Sequence, residues 1–73
     1  MNFGELADVI RKEHGIWTKA ESRRILETVL ETIRNKLKQG GLVRLRNFGT
    51  FERRMSHGKA RAKFDDSKNF FEG

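Results

Sequence analysis

Residues 43–54, Val-Arg-Leu-Arg-Asn-Phe-Gly-Thr-Phe-Glu-Arg-Arg, alternate apolar and basic side chains around a central Asn-Phe-Gly break. Successive side chains of a strand point to opposite faces, so the alternation demands a sheet with one buried face and one arginine-bearing face. Glycine inside such a pattern marks a bulge or bend. One strand is therefore expected over about 42–46, with Val43 and Leu45 inward, and a second over about 49–56. The third, over about 59–64, follows from register. With His57-Gly58 as the central loop residues, Met55 pairs with Ala60, Arg53 with Ala62 and Phe51 with Phe64 on one face. On the other, Ser56 pairs with Lys59, Arg54 with Arg61 and Glu52 with Lys63. Moving the loop to Gly58-Lys59 sets Arg53 against Phe64 and spoils the separation of faces. Arg53 is the misfit on the apolar side, and a wet dimer edge is the place expected for it.

Ahead of the sheet, Phe3, Leu6, Ala7, Val9 and Ile10 recur at helical spacing and Gly15 supplies a stop, which predicts a helix over about 3–14. Ile16 and Trp17 fall in the connection and are expected to pack beneath it. Thr18-Lys19-Ala20-Glu21 fits a capping box. It opens a second helix over about 18–39, whose apolar stripe is Ile25, Leu26, Val29, Leu30, Ile33 and Leu37. Arg34, Lys36 and Lys38 crowd its last turns, where the helix dipole favours cations, and Gly40-Gly41 ends it. The short connection predicts an antiparallel helical hairpin. After the sheet, Asp65 or Asp66 as cap predicts a short helix over about 66–71, with Phe70 or Phe71 docked because so short a helix cannot stand alone. The expected fold class is α+β. A helical hairpin precedes a three-stranded antiparallel sheet and a short C-terminal helix, all in one domain over 1–73.

At 73 residues and without cysteine, the chain must stabilise a small core with neither disulfide nor Cys-type zinc site. Oligomerisation is the remaining common remedy, and six phenylalanines and one tryptophan are a large aromatic content for a shared core. Sixteen Lys+Arg against ten Asp+Glu leave a net charge of +6, with a pI near 10.3. Such a chain is drawn to polyanions, nucleic acid before an anionic membrane surface, because the polar side of the second helix carries acids as well as bases. No apolar run is long enough to span a bilayer. Met1-Asn2-Phe3-Gly4-Glu5 has neither the basic nor the apolar region of a signal peptide, so the expected location is the cytoplasm. His14 and His57 lack companions at metal-ligand spacing, and no phosphate-cradling glycine loop or nucleophile–base set is present. Neither enzymatic activity, cofactor nor metal is expected.

Three segments carry a resemblance to a known family. They are Met1-Asn2 with Glu5-Leu6 and Ile10, then Ile25-Leu26-Glu27-Thr28-Val29-Leu30-Glu31-Thr32-Ile33, and, most specifically, Val43-x-Leu45-x-x-Phe48-Gly49-Thr50-Phe51-Glu52. Together with the element order they resemble the bacterial HU/IHF family of histone-like DNA-bending proteins, over nearly the whole chain. The resemblance implies an intertwined dimer in which helices and aromatic residues interlock. The implied dimer core is Ile25, Val29, Ile33, Leu37, Phe48, Phe51 and Phe64. It also implies a long two-stranded arm tipped by an intercalating proline. This chain has no proline, and only Ser56 to Ala60 lie where that arm belongs. A second alignment makes His57 to Arg61 the start of a truncated arm, against which the Phe51–Phe64 pairing argues.

The expected DNA-binding residues are Arg54, Arg61 and Lys63, with Lys59 at the tip, extended by Arg44 and Arg46 from the first strand. Lys68 joins them as the match to the family's lysine near the last helix. Arg54 opposite Arg61 is repulsive unless an anion lies between them. A solvated basic face is the plainer reading of the same residues. Phe48 and Phe51 alternate with the basic residues rather than sharing their face, which assigns them to packing rather than base stacking. The expected function is non-sequence-specific double-stranded DNA binding by a homodimer, as a nucleoid-associated or viral architectural protein with reduced bending. About three to five phosphate contacts per subunit are expected. The alternative is a subunit that heterodimerises with a full-length HU/IHF relative and modulates its DNA binding.

Overall fold

Asn2 opens the first helix. Its side-chain oxygen accepts from the Glu5 N–H at 2.9 Å, and its own N–H donates to the Glu5 carboxylate at 3.3 Å. This reciprocal capping box satisfies two donors that a helix start otherwise leaves open. The computed structural model describes residues 1–15 and 18–72. In it α1 spans Phe3–His14 and closes with the Gly15 N–H on the Arg11 carbonyl at 2.8 Å. Ile16 and Trp17, expected beneath the connection, lie outside the described residues.

Helix α2 spans Lys19–Lys38. Its start is the expected box: the Glu21 N–H donates to Thr18 Oγ1 at 3.1 Å and the Thr18 N–H to Glu21 Oε1 at 3.2 Å. Its end is a Schellman pair, with the Gly40 N–H on the Leu37 carbonyl at 3.0 Å and the Gly41 N–H on the Lys36 carbonyl at 3.1 Å.

The chain forms two compact units, Met1–Glu31 and Thr32–Gly73. In the first, Ala7, Ser22 and Leu26 are buried. A Cβ at Gly4 would stand only 3.3 Å from Arg23 Nη2, so the start of α1 lies against this α2 side chain. Asp8 pairs with Arg11 at 2.9 Å and Lys12 at 3.1 Å along α1. Leu6, Val9, Ile25, Val29 and Leu30 remain exposed despite their apolar character.

The second unit carries strands β1 (Val43–Leu45), β2 (Gly49–Ser56) and β3 (Lys59–Asp66), in antiparallel order β1-β2-β3. β1 and β2 join through a turn in which the Phe48 N–H bonds the Leu45 carbonyl at 3.1 Å and Asn47 adopts φ +60°. Gly49 follows because nothing larger fits there. A Cβ would meet the Asp65 carbonyl oxygen at 2.5 Å and the Phe64 ring at 2.6 Å. The β2–β3 register is the one that separation of faces requires, with Phe51 opposite Phe64, Arg54 opposite Arg61 and Ser56 opposite Lys59. His57 and Gly58 close it at φ +50° and +78°, both positive as a type I′ turn demands.

The end of the chain departs from expectation. β3 runs on to Asp66, pairing Asp65 with Thr50 and Asp66 with Gly49. The residues expected to cap a final helix are thus consumed by the sheet, and the helix over 66–71 does not form. Two turns take its place, with the Phe70 N–H on the Ser67 carbonyl and the Glu72 N–H on the Asn69 carbonyl, each at 3.0 Å. Phe70 still docks, its ring centroid 4.9 Å from that of Phe48 and 5.9 Å from that of Phe64. Phe64 lies in turn 5.3 Å from Phe48 and 4.8 Å from Phe51. Arg53, the misfit on the apolar side, is exposed and its guanidinium reaches the end of α2. Its Nη1 donates to the Lys38 carbonyl at 3.3 Å, placing a cation at the negative end of the helix dipole on a carbonyl that the helix leaves open.

Candidate nucleic-acid interface

Strand parity sorts the sheet residues. Arg44, Thr50, Glu52, Arg54, Ser56, Lys59, Arg61, Lys63 and Asp65 share one face by register. Val43, Phe51, Met55, Ala60, Ala62 and Phe64 share the other, together with Arg53. All eight residues of β3 are exposed. The polar face is therefore open along the hairpin, and β2 is paired on both sides only over 49–51, the rest of it pairing with β3 alone.

Charge on this face is graded from base to tip. At the base, the Arg44, Thr50 and Asp65 row carries one cation and one anion. The next row sets Glu52 opposite Lys63, and the row after that sets Arg54 opposite Arg61. Lys59 stands beyond them beside the turn. Ion pairs run along the strands as well. Arg54 Nε donates to Glu52 Oε1 at 3.1 Å, and Lys63 Nζ lies 3.7 Å from Asp65 Oδ1. Positive charge is thus partly cancelled near the base, whereas among the described residues no acid forms an ion pair with Arg61 or Lys59. Exposed pairs of this kind are worth little to folding, at most about 1 kcal/mol, so their importance lies in what they do to an incoming anion.

The structure brings Arg54, Arg61, Lys63 and Lys59 together and separates the other candidates from them. Arg44 shares the face but sits at its base. Arg46 lies past the end of β1, in the turn over 46–48, so strand alternation does not carry it onto the face with Arg44. Lys68 follows the Ser67 N–H that bonds the Phe48 carbonyl at 3.0 Å, at the opposite end from the hairpin tip. With no final helix there is no helix N-terminus beside it to attract phosphate. Of the residues assigned to a dimer core, Ile25, Val29, Phe48 and Phe64 are exposed in the single chain, Ile33 and Phe51 are half-buried, and Leu37 is buried within the chain itself. Beside β1 an open groove of ≈ 340 Å³ is lined by Ile33, Lys36, Gln39 and Val43 among others. Among the described residues no group of three His, Cys, Asp or Glu can hold a metal, and no helix is long and apolar enough to cross a membrane.

The model of the bacterial DNA-binding protein family matches residues 1–68. The chain belongs to this family. Among curated relatives, the DNA-binding protein HRL18 of Rhizobium leguminosarum is 39% identical over 51 residues, which is 70% of this chain and 55% of that protein. Its counterpart in Rhizobium radiobacter matches to the same extent. The chain thus spans about half the length of the curated relatives it matches. Among solved structures, HU from Thermotoga maritima superposes with a TM-score of 0.80 at 36% identity, covering 99% of this chain and 96% of that one. A point mutant of the same HU reaches 0.85 at the same identity and coverage. HU of Anabaena, from a cocrystal with DNA, gives 0.79 at 28% identity, covering 99% and 95%. Two helices followed by a three-stranded antiparallel sheet are what this family member shares with its HU neighbours.

Proposed function

We propose that this chain binds double-stranded DNA without sequence specificity, through the basic face of its β2–β3 hairpin. The observation that carries the reading is Arg54 directly opposite Arg61, flanked by Lys59 and Lys63, on an exposed face. Two arginines held opposite each other repel, and a phosphate between them turns that repulsion into two charge-assisted hydrogen bonds. Nothing on this face reads base edges with a fixed, buried donor–acceptor set. The contact is therefore one of phosphates, tolerant of sequence and steeply weakened by salt. Membership in a family of DNA-binding proteins and likeness to an HU crystallised with DNA support the same reading.

In this reading the working form is a homodimer of a single domain over 1–73, acting in the cytoplasm as a nucleoid-associated or viral architectural protein. The exposed Ile25, Val29, Leu30, Phe48 and Phe64 and the open groove beside β1 are apolar surface of the kind a partner subunit covers. The hairpin closes at His57-Gly58 with no proline at its tip, so it binds with little bending. The same apolar surface also suits a second reading, in which the partner is a full-length relative and the chain tunes that protein's DNA binding.

Fluorescence anisotropy of a labelled duplex, titrated at several salt concentrations, tests the proposal. Expected is binding indifferent to sequence, with log K falling linearly in log salt. No binding at low salt removes the DNA reading and leaves the heterodimer.

A further inference from the structure

We infer that Glu52 is an internal competitor for the phosphate site, setting how tightly and how salt-sensitively the hairpin binds DNA. This rests on the DNA reading and deepens it at the same site. Glu52 occupies the polar face one row below Arg54, and its carboxylate already accepts from Arg54 Nε at 3.1 Å. Nε and its neighbouring Nη form the edge on which a guanidinium takes a phosphate in two parallel bonds. A phosphate approaching Arg54 therefore meets an occupied Nε and a carboxylate of its own sign. It must displace Glu52 or bind at the Nη1–Nη2 edge, close to a carboxylate of its own sign.

Exposure makes the exchange feasible, since the Arg54 side chain is 57% exposed and that of Glu52 31%. A pair this open costs little to break, so Glu52 moderates binding without preventing it. Glu52 is the less exposed partner, half-buried on the central strand and opposite Lys63, so its carboxylate remains near the site when Arg54 is taken by phosphate. Asp65 repeats the arrangement on the neighbouring strand, 3.7 Å from Lys63. The acids thus confine strong phosphate binding to the tip half of the face, around Arg61 and Lys59.

The test compares the whole protein with its Glu52→Gln variant on a fluorescein-labelled DNA duplex across a salt series. Glu13→Gln, an equal charge change at an exposed position on α1, serves as control. Glu52→Gln is expected to lower Kd about three- to five-fold at low salt. It should also steepen the salt dependence by about 0.9 in log–log slope for each phosphate newly paired. Glu52→Ala provides the same readout should the amide disturb the strand. Overturning results are Kd and slope unchanged from the wild type, or a gain no larger than that of Glu13→Gln. In both the wild type still binds, so the DNA reading survives the loss of this inference. Absence of binding by wild type and variants alike sinks both together.

Discussion

The guanidinium of Arg53 donates to the backbone carbonyl of Lys38 at 3.3 Å, joining the middle of β2 to the last turn of α2. An arginine on the apolar face of a sheet thereby serves a carbonyl that the Gly40-Gly41 closure of α2 leaves open. Its Nη2 also lies 4.0 Å from the Met55 sulfur, so the stem and head both stay on that face. Replacing Arg53 with Met keeps the apolar stem and removes the donor. A loss of about 1 kcal/mol is expected, seen as a lower midpoint in urea denaturation. Arg53→Lys, which keeps the cation, should recover part of it. A midpoint unmoved by Arg53→Met would mean that water serves the carbonyl equally well.

Gly49 is the position at which the sheet tolerates least. The carbonyl of Asp65 and the ring of Phe64 both stand where a methyl group would go. Since one obstacle is backbone and the ring is locked among Phe48, Phe51 and Phe70, neither can yield without unpairing β3. Gly49→Ala is expected to destabilise by about 3 kcal/mol. A loss below about 1 kcal/mol in chemical denaturation would show that the ring cluster repacks.

Stability should fall on the acid side through two identifiable carboxylates. Hydrogen bonds from Arg11 and then Lys12 hold Asp8 below its ordinary value of 3.8, and the Thr18 side chain followed by its N–H holds Glu21 below 4.5. Both groups are more acidic folded than unfolded. Their contribution is therefore complete above those ordinary values and is lost as pH drops through the depressed ones. Thermal melts from pH 6 to pH 2, about two units either side of the ordinary carboxylate range, should show a shallower decline for Asp8→Asn and Glu21→Gln. An acid limb identical to that of the wild type would count against both pairings.

Arg61 faces Arg54 across the hairpin and forms no ion pair among the described residues. Reversing its charge, Arg61→Glu, relieves the repulsion and places an anion where phosphate is proposed to sit. The fold should hold or gain slightly, while duplex binding at low salt weakens at least about tenfold. Circular dichroism and sedimentation alongside anisotropy separate the two effects. Should the oligomeric state change while DNA affinity holds, the site has been assigned to the wrong surface.

The hairpin was legible residue by residue because a period of two leaves a mark that only one register satisfies, and a two-residue turn has few solutions. The end of the chain is not legible in the same way, because Asp65 and Asp66 suit a helix cap and a strand end alike. Pairing with Thr50 and Gly49, remote in sequence, decided between them. Arg53 stood out as an anomaly, yet its partner is a backbone carbonyl, which no residue type announces. The box at Asn2 and Glu5 has the same spacing as Thr18 and Glu21 and is equally legible in the sequence. Glu52 was expected to answer Lys63 across the strands. Its bond to Arg54, two residues along the same strand, depends on side-chain rotamers that pattern alone does not specify.

The two-residue closure at His57-Gly58 also bears on how much protein a length of DNA can take up. From Gly49 to Ser56 the strand rises about 23 Å, and from Arg54 to the turn only about 10 Å. Duplex DNA presents a charge every ~1.7 Å of its axis, so the strongly basic end of one hairpin covers roughly half a dozen. If phosphate is held there as proposed, the contact of one hairpin is short, and saturation is expected to be governed by protein supply rather than by the spacing of preferred sites.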